Sequence, residues 1–140
     1  MIYLLDTCVV SEFIKTSPEL QVIDWFKKHD EDSLYLSALS LGELRAGIVR
    51  LPESKRRTHL EAWFDALQQR FSGRTLDVSP QVALAWGNLR GLTESRGRTL
   101  SAIDSLIAAT ARVANATVVT RNVKDFEPCG VPVFNPWPGE

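Results

Sequence analysis

Met1-Ile2-Tyr3-Leu4-Leu5-Asp6-Thr7 opens the chain, and its reading decides the fold. Met1 to Leu5 is an apolar run that stops abruptly at Asp6. Such a run, with no polar alternation, reads as a strand buried on both faces, the kind found in the middle of a parallel sheet. Ligands of such sheets bind just beyond the carboxyl ends of the strands. Asp6 stands at that point and opens a helix expected over Cys8 to Lys15. Asp is also a favoured N-cap, so position alone leaves two roles open, a helix cap or an acid that faces a ligand.

Working outward, Val22, Ile23, Trp25 and Phe26 form the apolar stripe of a second helix opened by Pro18 and Glu19. Leu34-Tyr35-Leu36 reads as a short strand. Ser40-Leu41-Gly42-Glu43 has the form of a capping box and predicts a helix start, with Leu44, Ile48 and Leu51 on one face. Pro52 should end that helix and begin another, whose Leu60, Trp63, Phe64, Leu67 and Phe71 recur at helical spacing. Thr75 to Val78 is a weak strand, and Ser79-Pro80 carries the cap-then-proline signature of a further helix. Ser101 to Ala114 is the next helix and Thr117 to Thr120 the clearest strand after the first. A turn at Asn122 to Phe126 then leads to an edge strand, Val131 to Phe134. This alternation argues a three-layer α/β/α sandwich around a mostly parallel sheet, with residues 1–140 as a single domain.

Composition is that of an ordinary soluble globular protein, with 44% hydrophobic and 24% charged residues. Cys8 and Cys129 are too few for a disulfide framework, which points to a reducing compartment. The N-terminal apolar stretch lacks the form of a signal peptide, and no run has the length of a membrane span, so the cytoplasm is the expected location. A net charge of −1 neither announces nor excludes a nucleic-acid partner, because acids gathered around a metal offset basic residues in the sum. Arg50, Arg121 and Lys124 are among the candidates for a basic rim, although surface solvation is their ordinary role.

The acids carry the chemistry. Asp104 lies in the first turn of an otherwise small and apolar helix, beside Ile107 and Ala111 on the shoulder of its buried face. Its ordinary role is the reach-back acid of a capping box with Ser101, as Glu43's is with Ser40. Two first-turn acids and one strand-ending acid point to a shared site, and the loop after Thr120 opens at the same edge with Asn122 and Asp125. Carboxylates without an accompanying His or Cys suit a hard cation such as Mg²⁺ or Mn²⁺, which also binds phosphate oxygens. His29 and His59 lack zinc-ligand spacing, and neither dinucleotide-binding glycines nor a phosphate loop occurs.

Leu5-Asp6-Thr7, Gly42-Glu43-Leu44, Ile103-Asp104 with the following Leu106 to Ala111, and Thr120 to Phe126 resemble the four motifs of PIN-domain nucleases, in order. The ending Val133-Phe134-Asn135-Pro136-Trp137 resembles the VapC/FitB toxin branch. The resemblance implies a Mg²⁺-dependent endoribonuclease, the homodimeric toxin of a type II toxin–antitoxin pair. It implies Asp6 and Asp104 as principal metal ligands, Glu43 completing the pocket, and Thr7 and Thr120 as supporting hydroxyls. The helices around Pro52 would grip the cognate antitoxin. Two positions depart from the pattern: Cys8 stands where many relatives have Asn, and Asn122 where many have Asp. Asp125, three residues on, is the alternative fourth ligand. Two rival readings are an aspartyl-nucleophile phosphatase-like enzyme built on Asp6 and a catalytically silent module that uses the pocket to hold a partner. Against the first, the dehalogenase-type motif wants a second Asp at position 8.

Overall fold

In the computed structural model, which describes residues 1–139, Tyr3–Leu5 form β1 at the centre of a five-stranded sheet. Thr7–Ser11 (α1) runs into a 3₁₀ turn at Glu12–Ile14, followed by Leu20–Lys28 (α2) and Leu34–Ser37 (β2). Ala38–Val49 (α3), Lys55–Arg70 (α4) and Thr75–Leu76 (β3) come next, then Pro80–Ser95 (α5) and Ala102–Ala114 (α6). Thr117–Val119 (β4), Val123–Phe126 (α7) and Val133–Phe134 (β5) complete the order.

The strands lie in the order β3-β2-β1-β4-β5, and every pairing is parallel. The sheet is thus wholly parallel, one step beyond the mostly parallel sheet expected. Leu4 and Leu5, both fully buried, point to opposite faces, as alternation along a strand requires. Leu5 joins Val9, Phe26, Leu44, Phe64 and Phe71 in the core beneath α1 to α4. Leu4 joins Leu89, Ile107, Ala108, Ala111 and Phe126 beneath α5 to α7. Two apolar cores on either side of one sheet make the three layers.

From β1 the chain winds outward through β2 and β3, then returns to β4 on the other side of β1. The direction therefore reverses between β1 and β4, and that crevice is where an open parallel sheet accepts a ligand. Leu5 pairs with Val119, so Asp6 and Thr120 leave the sheet side by side. Asn115, with a left-handed φ of 54°, closes α6 and turns the chain into β4.

Several local expectations are corrected. The first helix ends at Ser11 and tightens into the 3₁₀ turn before reaching Lys15. The capping box at Ser40 and Glu43 does not form: α3 starts at Ala38, capped by Ser37, whose hydroxyl accepts from the Leu39 N–H. Strand β2 passes straight into this helix, so Ser37 serves both elements. Ser40 is fully buried with an unpartnered hydroxyl, and Glu43 lies in the second turn. Pro52 ends α3 but does not begin α4, which is capped by Ser54. The segment after Asn122 is a one-turn helix instead of a plain turn.

Ser37→Ala is expected to cost about 1 kcal/mol of unfolding free energy, the usual loss for a helix cap. Ser40→Ala should leave stability unchanged or raise it, because it removes a buried hydroxyl that bonds to nothing. Urea denaturation of the two variants checks the assignment, and the opposite ranking would restore the cap to Ser40.

Candidate active site

Asp6 is 5% exposed, yet both its oxygens are engaged. Oδ1 accepts from the Thr7 N–H at 2.9 Å, and Oδ2 accepts from the Thr120 hydroxyl at 2.8 Å. The Cys8 thiol reaches the same Oδ2 at 3.7 Å and stands 3.6 Å from Thr120 Oγ1. Thr120 is wholly buried, and its oxygen accepts the Asn122 N–H at 3.0 Å. Burial, reinforced by the Asp6 charge, pushes the Cys8 thiol above its usual range, so it stays protonated and able to donate. Groups following β1 and β4 therefore hold one buried carboxylate across the crevice.

Glu43 projects from α3 and accepts from the Thr7 hydroxyl at 2.6 Å. One threonine thus ties two acids, its N–H to Asp6 and its O–H to Glu43. Asp104 enters from the first turn of α6, where its N–H reaches the Ser101 hydroxyl at 3.4 Å. The Trp86 ring N–H donates to Ser105 at 2.9 Å and fastens this end of α6 to α5. Burial first, then the charges of Asp6, Asp125 and Glu43, push the Asp104 carboxyl from 3.8 up to about 6, against the opposing pull of the Ser101 hydroxyl. Asp104 therefore senses all three of the other acids.

The sequence-derived residues fall into place unevenly. Asp6, Glu43, Asp104 and Asp125 share one electrostatic neighbourhood, and the Thr7 and Thr120 hydroxyls bond to Glu43 and Asp6. Asn122 contributes main-chain groups, its N–H to Thr120 and its carbonyl to the Asp125 N–H at 3.0 Å. Nothing in the sequence places Cys8 against the acids, and its contacts with Asp6 and Thr120 follow from the helical turn after β1. Among the described residues, no three His, Cys, Asp or Glu side chains are drawn close enough to hold an ion by themselves. The donor set of carboxylate and hydroxyl oxygens nevertheless fits Mg²⁺ or Mn²⁺, which keep several waters and need only one or two protein carboxylates. It does not suit zinc.

A buried acid at the reversal point of a parallel sheet, with three more acids around it, defines an α/β protein built to manage concentrated negative charge. The chain belongs to the PIN domain family, whose profile matches residues 3–127. Toxin FitB of Neisseria gonorrhoeae is 36% identical over 96% of this chain and 97% of its own length. VapC ribonuclease Y4jK of Sinorhizobium fredii is 33% identical over 95% of this chain and 96% of its own. Among solved structures, FitAB bound to an IR36 DNA fragment superposes with a TM-score of 0.93 at 34% identity, covering 99% and 98% of the two chains. VapBC-5 of Mycobacterium tuberculosis, a member of the VapBC family of toxin–antitoxin systems, gives 0.68 at 25% identity over 96% of each chain.

The raised Asp104 carboxyl fixes the sign of a pH effect. Its folded value of about 6 lies above the ordinary 3.8, so the folded protein binds more protons than the unfolded chain between about pH 4 and 6. The stability this group contributes is complete below that window and is lost as pH rises through it. Asp104→Asn is expected to raise the metal-free melting temperature at pH 7 and to flatten its slope between pH 4 and 7. Differential scanning fluorimetry across pH checks this, and an unchanged slope would remove Asp104 from the cluster.

Proposed function

We propose that this protein is a divalent-cation-dependent endoribonuclease, the toxin of a toxin–antitoxin pair. The carrying observation is that acids from four separate elements gather where β1 and β4 part, with Asp6 and Glu43 both bonded to Thr7 and Asp104 in the field of Asp6, Asp125 and Glu43. The names of the relatives agree with that chemistry: one is a toxin and another a ribonuclease. In this reading residues 1–140 are a single nuclease domain.

Asp6, Asp104 and Glu43 would hold Mg²⁺ or Mn²⁺, with Asp125 as the fourth acid. When bound, the cation supplies positive charge to offset the phosphodiester and to polarise water for an in-line displacement. The chain's own residues do the positioning. Thr7 N–H and Thr120 O–H fix the plane of the Asp6 carboxylate, and the Thr7 hydroxyl fixes Glu43. Burial, and then the charges of the other three acids, raise the Asp104 carboxyl to about 6. An aspartyl-nucleophile mechanism is disfavoured, since Cys8 stands where the dehalogenase-type motif wants a second Asp. A silent binding module is disfavoured by the presence of Asp6, Glu43 and Asp104, the acid positions of the motifs except at Asn122.

The antitoxin has a separate place to dock. A cavity of about 780 Å³ lies against α4, with Phe13, Ile14, Leu60 and Trp63 as its apolar floor and Lys15, Lys55 and Arg56 around it. It suits an amphipathic helix, and a basic segment of the same antitoxin suits the acids. Homodimerisation is proposed on the exposed apolar residues of α5. Trp137 is 6% exposed and the other three are half-buried, whereas Leu84 and Leu92 of α5 are 73% and 58% exposed. Eight residues apart, they share one side of the helix.

Asp6→Asn and Asp104→Asn are each expected to abolish cation-dependent cleavage of labelled RNA, with EDTA as the control for the wild type. Asp125→Asn should reduce the rate more than Asn122→Ala, because Asp125 acts on Asp104 through its charge while Asn122 contributes main-chain groups. A folded Asp104→Asn protein that cleaves at the wild-type rate would overturn the assignment. Leu84→Glu with Leu92→Glu should convert a dimer to a monomer by light scattering without disturbing the fold.

A further inference from the structure

A groove of about 510 Å³ opens beside the acids and shares residues with them. Glu43 lines it, as does Ile103, the neighbour of Asp104. Its remaining walls include Gly42, Ala46 and Arg50 of α3, and Val78 from the segment before α5. Val78 is 41% exposed, and a Cβ added at Gly42 would meet nothing within 4 Å, so the space between α3 and Val78 is open. Arg50 stands seven residues beyond Glu43, two helical turns or about 10 Å along the axis at 1.5 Å per residue. Among the described residues its guanidinium forms no ion pair, although Arg45, Arg57, Arg70, Arg74 and Arg90 all do. Acid at one end, apolar walls between, and a free cation at the other end describe a surface with a direction.

We infer that this groove receives one unpaired nucleobase of the RNA strand next to the cleaved bond, with Arg50 on the phosphate beyond it. The inference rests on the ribonuclease reading of the acids. A phosphodiester lying at Asp6, Glu43 and Asp104 continues into a neighbouring nucleotide, and that nucleotide presents an apolar base face and a negative phosphate. The groove offers the complements of both, in that order. Base faces bind apolar and aromatic surfaces without regard to sequence, while walls that limit size discriminate between bases. A base in a duplex is stacked and paired and cannot enter, so the substrate is single-stranded at this position. Ala46, Val78 and Ile103 would then determine which bases are accepted beside the cut.

The test uses full-length Ala46→Leu and Arg50→Ala proteins and a mixed-sequence RNA whose cleavage sites are mapped. Ala46→Leu keeps a strong helix former on α3 and narrows the groove. It should change base preference at a single position adjacent to the cut. Arg50→Ala should raise KM on the order of tenfold, weaken its dependence on salt, and leave kcat near the wild-type value, with partial rescue by Arg50→Lys. Wild-type cleavage with neither variant altering pattern or KM, both proteins melting normally, would overturn the groove assignment alone. A change of mass by light scattering in Ala46→Leu, with the cleavage pattern intact, would overturn it in favour of a second copy covering the face. No cleavage by the wild type would instead overturn the ribonuclease reading, and the groove assignment with it.

Discussion

The hydrogen bond from the buried Thr120 hydroxyl to Asp6 crosses the one place where the sheet reverses direction. It lies between two central strands that are 114 residues apart in sequence, and it fixes a carboxylate that would otherwise be an uncompensated buried charge. The neighbouring contacts build on it. Asn122 N–H bonds to the same hydroxyl oxygen and shapes the loop that carries Asp125. Thr7 completes Asp6 from the other side and reaches out to Glu43. The geometry of the site is thus propagated from β1 and β4, the buried central strands, to residues on the surrounding helices.

Gathering four acids has a cost that the fold localises. Asp6 has its hydrogen bonds and Glu43 has the Thr7 hydroxyl, whereas burial first, and then the other three charges, raise the Asp104 carboxyl. The repulsion is concentrated at the mouth of the crevice, where burial is partial. Strongly perturbed acids in a cleft are a mark of functional sites, and here the perturbing charges come from α1's leading edge, α3 and α7. Zinc proteins reach a closed ligand set from His and Cys. The oxygen-only set proposed here would stay open, as suits a cation that retains water and shares its coordination with a phosphate.

Period and punctuation made much of this legible. The unbroken apolar run of β1 and the β-branched run of β4 mark the buried strands, and their ends mark Asp6 and Thr120. Ser79-Pro80 and Ser101 gave true helix starts, because each follows a loop that isolates the cap. The start of α3 was misread because no loop separates it from β2, and two serines three residues apart offer the same local signal. Burial decided between them, and burial is not local. The groove was invisible for a related reason, its walls coming from three segments of the chain. Arg74 shows the same limit: it bonds the Leu34 carbonyl at 2.6 Å and the Arg70 carbonyl at 2.7 Å, fastening β3 beside β2, yet reads in sequence as one more surface cation.

The central claim is that these four acids act as one charge-coupled site for a divalent cation. Isothermal titration of Mn²⁺ into the metal-free protein near pH 6, repeated in buffers of different ionisation enthalpy, measures both binding and the protons released by it. Binding should displace a fraction of a proton, the share that Asp104 holds at that pH, and the affinity should rise with pH through 6. In Asp104→Asn the proton release should disappear and the affinity should fall. Mn²⁺ binding with no proton release, or with the same release in Asp104→Asn, would contradict the claim.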